Sequence, residues 1–302
     1  MKSKVIIDTD PGKDDALAIL LLTRSSKIDL LAVTTVAGNT NIQNVSNNAQ
    51  FILNLVGSNV PIFTGAKKPL KKKLYIARVH GASGLSGVKV NSKVRLSDNA
   101  PEQTYKLLKK YPNQINIIAI GPLTNIARLL TIYPDSAKLV KQFIIMGGAI
   151  EVAGNMNRVA EFNFFVDPHA AKIVMNSPVK KTLIPLDICN RTPLFLNDFN
   201  KLKGSALFNP IMKMMKPYIK AIKKFEGQNG ALVYDALAAY YLINPKPYQI
   251  KPMDIRIETK GELTEGMSVA DRRSWGTHEE NINVVTDLDR GVFLKDFLEL
   301  LN

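Results

Sequence analysis

The stretch Val5-Ile6-Ile7-Asp8-Thr9-Asp10-Pro11-Gly12-Lys13-Asp14-Asp15-Ala16 decides the architecture. Val5-Ile6-Ile7 is a short, apolar, β-branched run and reads as a buried strand. Pro11-Gly12 makes a turn. From residue 14 to 23 the apolar residues Ala16, Leu17, Ile19 and Leu20 fall at helical spacing. The strand–turn–helix unit then recurs. Residues 30–36 read as the next strand and 42–56 as an amphipathic helix stopped by Gly57. Further strands are predicted over 116–120, 143–146 and 182–186, and helices over 123–130, 169–175 and 209–225. This alternation predicts an α/β fold, an open and mostly parallel sheet with helices on both faces. The last part changes character, with strands over 255–258, 268–270 and 282–286 and a closing helix over 289–300, so the sheet is read as mixed. No linker, low-complexity tract or internal repeat interrupts the chain, and one domain over 1–302 is the simplest organisation.

The same stretch carries the chemistry. Four carboxylates, Asp8, Asp10, Asp14 and Asp15, fall within eight residues of a chain whose formal net charge is +14. Asp8 and Asp10 lie on the same side of an extended strand, while Asp14 and Asp15 open the helix. Helix capping accounts for one or two of these aspartates. Four at the carboxyl end of a buried strand repel one another unless protons or a cation neutralise them. Oxygen donors at this density suit Ca²⁺ or Mg²⁺ rather than zinc. The carboxyl end of a parallel strand is also where open α/β sheets bind ligands. A Ca²⁺ shell takes roughly six to eight oxygens, so distant donors are required. Asp235, a lone carboxylate in the apolar stretch 231–239, and backbone carbonyls at another strand end are the candidates. Taken alone, Asp235 reads better as a residue of a helix N-terminus.

These residues resemble the inosine–uridine nucleoside hydrolase family. The run from Asp8 to Ala16 closely matches its DTDPGxDDA signature. In order along the chain follow Thr34-Thr35-Val36-Ala37-Gly38-Asn39, His80-Gly81-Ala82-Ser83-Gly84-Leu85, Gly121-Pro122-Leu123-Thr124-Asn125, Met146-Gly147-Gly148, Gly154-Asn155, Ala160-Glu161-Phe162-Asn163 and Asp167-Pro168, each similar to a family block. Each short motif is weak alone; the ordered set is specific. The resemblance implies a Rossmann-like nucleoside hydrolase fold and Ca²⁺-dependent hydrolysis of the N-glycosidic bond of ribonucleosides to ribose and free base. It implies Asp10, Asp15, Asp235 and the carbonyl of Ile120 as metal ligands, with Asp10 also the general base. Asp14, Asn39, Asn155, Glu161 and Asn163 would hold the ribose hydroxyls and Met146 would lie against the sugar. His80 and Phe162 would lie near the sugar–base region. A role in nucleoside salvage and a homotetramer or homodimer are further expectations from the resemblance.

The sequence departs from the family at two places. Where relatives commonly carry a histidine before the last aspartate, thought to protonate the departing base, this chain has Tyr234. A phenol is a weaker acid than an imidazolium, though the ring can stack on the base. A purine-specific branch also has an aromatic there, which leans the substrate toward purine nucleosides and leaves a pyrimidine-preferring hydrolase as the alternative. Tyr234 also reads as plain helix packing. Lys13 replaces a residue that is usually apolar and is expected in solvent or paired with a neighbouring aspartate. His80, in a Gly-rich loop, is read near the base, with a loop histidine satisfied by backbone as the alternative. Within 218–229, Tyr218, Phe225, Gln228 and Asn229 fall where relatives close over the base, but an amphipathic helix accounts for most of that segment. His169 is read as structural, and His278 is given no role.

Composition bounds the rest. Hydrophobic residues are 46% and charged residues 22%, ordinary for a globular protein. The single cysteine, Cys189, excludes an internal disulfide and fits a reducing, cytoplasmic setting. The N-terminus reads as a strand rather than a signal peptide, and no apolar run is long enough for a membrane span. The lysines at 67, 68, 71, 72 and 73 lack interleaved aromatics, so no nucleic-acid partner is expected. Two rivals remain. One is a non-catalytic nucleoside- or nucleic-acid-binding protein on the same fold. The other is a phosphatase using Asp8-Thr9-Asp10, which the Gly12-Lys13 continuation disfavours.

Overall fold

The computed structural model describes residues 2–275 and 279–302; His278 lies outside them. The first strands are β1 (Ser3–Thr9), β2 (Ile28–Thr35), β3 (Ile62–Thr64), β4 (Ile115–Ala119), β5 (Gln142–Met146) and β6 (Lys181–Ile184). They form one eight-stranded sheet with the strands Ile282–Leu288 and Tyr248–Met253, in the order β3-β2-β1-β4-β5-β6, then 282–288, then 248–253. Every pairing is parallel except the last, where Tyr248–Met253 runs antiparallel at the edge. The expected mostly parallel, mixed α/β sheet is therefore observed.

Alternation along the strands feeds two cores. Val5 and Ile7 of β1 point into one, Ile6 into the other; Ile118 and Ile117 of β4 divide the same way. The first core is covered by α1 (Lys13–Arg24), α2 (Ile42–Leu55) and the helices Phe208–Glu226, Tyr234–Ile243 and Arg290–Leu301. The second is covered by α3 (Ala100–Lys110), α4 (Thr124–Ile132) and the helix Pro168–Met175. α1 is buried from Lys13 through Leu22, apolar all round beyond its acidic first turn, and lies central in its layer.

Several elements escaped the sequence reading, among them β3, the edge strand and α3. β3 is only three residues long. The edge strand Tyr248–Met253 is exposed along Gln249–Pro252 and shows no alternation. Its Pro252 is tolerated because an edge strand need not donate outward. α3 starts at Ala100, with Pro101 in its first turn, after the long irregular segment from 65 to 99 and has only four buried residues. The strand expected over 182–186 ends at Ile184, and Leu186–Cys189 folds instead into a helical turn after Pro185.

Candidate active site

The sheet order reverses at β1, which has β2 on one side and β4 on the other. Connections leave these neighbours in opposite directions, so a crevice opens at the carboxyl ends of β1 and β4. Asp10 follows β1 there, and Ile120 follows β4. The crevice is a cavity of about 360 Å³, lined by eleven residues singled out from the sequence: Asp14, Asn39, His80, Ile120, Met146, Asn155, Glu161, Phe162, Asn163, Tyr234 and Asp235. Asp10 and Asp15, both essentially inaccessible, stand behind its wall, Asp10 bonded to Asn39 and Asp15 beside Asp14 and Asp235.

The acidic centre is assembled by two helix starts. α1 begins after Gly12, and the Asp15 carboxylate folds back over the turn. It accepts hydrogen bonds from Thr9 Oγ1 at 2.6 Å, Gly12 N at 2.8 Å, Asn39 Nδ2 at 3.1 Å and Asp10 N at 3.3 Å. α1 packs along the helix Tyr234–Ile243, whose first turn carries Asp235. The two N-termini converge, and carboxylate oxygens of Asp14, Asp15 and Asp235 come within 4.8 Å of one another. Asp10 stands beside this trio, held by Asn39, whose backbone N–H donates to Asp10 Oδ2 at 2.6 Å. Asp8, the fourth acid of the signature, is turned away. It accepts from Thr34 Oγ1 and from Asn125 Nδ2 at 2.8 Å and has no place in the cavity.

Burial drives the Asp10, Asp14 and Asp235 carboxyls well above the ordinary carboxylate range, with repulsion from neighbouring aspartates adding to it. Asp15 is raised by burial as well, while its hydrogen bonds pull it back. Four such groups cannot all ionise without a cation. Two buried oxygens, Asp10 Oδ1 and Asp14 Oδ1, have no hydrogen-bond partner. Unmade bonds of this kind are costly, and a cation satisfies them. Space is kept as well, since a Cβ on Gly121 would stand 2.7 Å from Asp10 Oδ1. The donor set is all oxygen, so the residues present fit a hard divalent cation.

Further polar residues on the wall of the cavity are tied down by backbone partners. Glu161 caps the helix Phe162–Val166. Its Oε1 accepts from Asn163 N at 2.9 Å and its Oε2 from Gly148 N at 3.0 Å and Phe164 N at 3.3 Å. Burial nevertheless pushes its carboxyl up to about 7. Asn163 Nδ2 donates to the carbonyls of Ile120 at 3.0 Å and Met146 at 3.2 Å, which leaves its Oδ1 as the polar atom for a ligand. Asn155 Oδ1 accepts from Phe162 N at 2.9 Å, which leaves its Nδ2. Asn39 spends its Nδ2 on Asp10 O and Asp15 and acts mainly as the organiser of the acidic centre. Side chains whose rotamers are fixed by backbone partners present a preorganised polar surface.

Lys13 corrects the sequence reading. It is not in solvent but 1% exposed, with Nζ donating to the Val79 carbonyl at 3.1 Å and lying 5.6 Å from the centre of the Tyr218 ring. Burial lowers its ammonium to about 8, against the attraction of Asp14. Its backbone N–H donates to His80 Nδ1 at 3.1 Å, so that nitrogen is unprotonated, and burial takes His80 down to about 3. His80 is therefore neutral, stacked on Tyr218 at 5.4 Å, with Nε2 3.8 Å from Asp14 Oδ1. Lys13 thus grips the cavity-lining segment 79–80 from both its backbone and its side chain. Lys13→Met is expected to loosen that segment and raise KM about fivefold, the equivalent of roughly 1 kcal/mol for one lost hydrogen bond, with kcat less affected. Steady-state kinetics with unchanged KM would show that the Nζ contact does not position the segment.

Tyr234 and Glu226 meet at the cavity wall. Tyr234 donates its hydroxyl to Glu226 Oε2 at 2.7 Å. Glu226 ends the helix Phe208–Glu226 and lines the cavity with Phe225 and Arg78. The amphipathic helix expected over 209–225 is observed, and Tyr218 is buried in it, donating to Leu232 O at 2.9 Å. Glu226 escaped notice because a Lys-Lys-Phe-Glu-Gly run reads as an exposed helix end. The only available signal was its position one residue before a helix-stopping glycine. His169 lies in the helix Pro168–Met175, away from the cavity.

The chain matches the family model described as inosine-uridine preferring nucleoside hydrolase over residues 5–295. Among curated relatives, the pyrimidine-specific ribonucleoside hydrolase RihA of Shewanella woodyi is 36% identical over 303 residues, covering 97% of this chain and 96% of that protein. Among solved structures, a plant nucleoside hydrolase superposes with a TM-score of 0.93 at 28% identity, covering 100% of this chain and 99% of the other. A purine-preferring ribonucleoside hydrolase from Gardnerella vaginalis superposes with a TM-score of 0.91 at 26% identity, covering 99% and 98%.

Proposed function

Because the chain belongs to the inosine-uridine preferring nucleoside hydrolase family, and is an N-glycosyl hydrolase, we propose that it is a Ca²⁺-dependent ribonucleoside hydrolase working as one domain over 1–302. The observation that carries this is the pair of unpartnered buried oxygens, Asp10 Oδ1 and Asp14 Oδ1, in an acidic cluster that adjoins a cavity whose walls are fixed polar groups. Asp10, Asp15, Asp235 and the Ile120 carbonyl would hold the cation. When bound, Ca²⁺ supplies a Lewis-acidic centre that fixes a sugar diol and eases deprotonation of a neighbouring water.

The chain's own residues do the rest. Asp10, whose Oδ1 has no hydrogen-bond partner, takes a proton from the water that attacks C1′. Asp14, Asn155, Glu161 and Asn163 hold the ribose hydroxyls, with Asn39 bracing Asp10, and Met146 packs on the sugar. These contacts restrain the ring while charge develops at C1′ in an oxocarbenium-like transition state. His80, Phe162 and Tyr234 stand at the leaving-group end. The products are ribose and a free base, in keeping with a salvage or catabolic role. A cytoplasmic homotetramer or homodimer is the form proposed for it; among the described residues no helix is long and apolar enough to cross a membrane.

For the base, an aromatic at 234 supports purines. The 36% identity to a relative named pyrimidine-specific supports pyrimidines, and carries more weight because the identity of Tyr234 is already explained by its bond to Glu226. Uridine and cytidine are therefore expected to exceed inosine, adenosine and guanosine in kcat/KM. Ribose release from the five ribonucleosides ranks them directly. Purines ahead would reverse the base assignment, and release from none would remove the hydrolase reading.

A further inference from the structure

We propose that Glu226 is the general acid that protonates the departing base, and that Tyr234 is the residue that positions its carboxyl. This rests on the ribonucleoside hydrolase reading and assigns a step of that reaction to a residue outside the sequence-derived set. Bond cleavage leaves an electron pair on the base nitrogen, so an acid must stand at that end of the cavity. Tyr234 has a single proton and spends it on Glu226 Oε2 at 2.7 Å. His80 accepts the Lys13 N–H at Nδ1 and directs Nε2 toward Asp14. Tyr218 spends its hydroxyl on the Leu232 carbonyl, and the Arg78 guanidinium is too weak an acid to give up a proton. Glu226 remains. It lines the cavity beside Phe225 and Tyr234 and, among the described residues, forms no ion pair that would hold it as a carboxylate.

The local structure fixes it there. Glu226 is the last residue of a helix and Gly227, at φ 69°, turns the chain in the left-handed conformation that glycine adopts freely. Burial raises the Glu226 carboxyl and favours the protonated form, while the Tyr234 hydroxyl favours the carboxylate formed after transfer. The step balances. Water oxygen bonds to C1′, the C1′–N bond breaks with both electrons leaving on nitrogen, Asp10 takes the water proton, and the Glu226 proton passes to the base. Solvent then reprotonates Glu226 and takes the proton from Asp10.

The test compares uridine, whose base must be protonated, with p-nitrophenyl β-D-ribofuranoside, whose leaving group departs as a stable anion. Glu226→Gln keeps the shape and an oxygen acceptor for Tyr234 but removes the acid. It is expected to lower kcat on uridine by ~10²-fold or more while turnover of the activated riboside falls by less than about threefold. Tyr234→Phe should show the same split in smaller measure, because it misorients the acid without deleting it. Equal losses on both substrates, or full uridine turnover in Glu226→Gln, would overturn the assignment. So would a larger uridine-selective loss in Tyr234→Phe than in Glu226→Gln, which would make the phenol the acid. Wild-type protein that cleaves neither substrate would instead overturn the hydrolase reading itself.

Discussion

Asp10→Ala is expected to lower kcat on ribonucleosides by about 10³-fold or more while leaving the fold intact or more stable. The loss has two sources. The variant removes the proposed base, a contribution of roughly 10²- to 10⁴-fold in general acid–base catalysis, and one carboxylate of the proposed cation site. The stability effect runs the other way. Asp10 Oδ1 is buried without a partner, and burial and the neighbouring Asp15 and Asp14 oppose its charge. Deleting a group that the folded state accommodates poorly relieves repulsion, a trade between stability and activity often met at active sites. Thermal melts of wild type and variant in chelator, beside kcat on uridine, check both halves. Near-normal turnover in Asp10→Ala would remove it as the base. A large drop in melting temperature would show that the acidic centre holds the fold together.

The second large effect concerns the sugar. A 2′-deoxyribonucleoside is expected to be hydrolysed at least about 10³-fold less efficiently than its ribonucleoside, since sites built to hydrogen-bond a hydroxyl reject analogues lacking it by as much as 10⁴–10⁵. The reason lies in how the walls are tied. Asn163 Oδ1 and Asn155 Nδ2 are the atoms left over after backbone partners have fixed each side chain. They cannot turn away to find other partners when the 2′-hydroxyl is missing, so a desolvated polar atom is stranded. The loss should fall mainly on kcat, because the proposed ribose contacts would matter most as the ring flattens. Comparable kcat/KM for uridine and 2′-deoxyuridine would show that the walls do not read the hydroxyl.

Much of this was legible in the sequence because it is local. An acidic turn between an apolar strand and an apolar helix announces both β1–α1 and the ligand end of the sheet. Parallel strands buried on both faces show as continuous β-branched runs. What escaped depends on contacts distant in the chain. Lys13 looks like a surface lysine until Val79 and Tyr218 close over it. Glu226 looks like a solvated helix end until Tyr234 reaches it. Asp8 and Asp10 share one strand face in the sequence, yet Asn125 and Thr34 hold Asp8 apart from the cavity. The edge strand Tyr248–Met253 has too few buried residues to show a period.

The most direct test of the central claim is ribose release from uridine by protein stripped with a chelator, followed by stepwise return of Ca²⁺. Turnover that vanishes on stripping and returns with Ca²⁺ to its original level is the predicted result. Undiminished turnover in excess chelator, or none at saturating Ca²⁺ with any ribonucleoside, would contradict it.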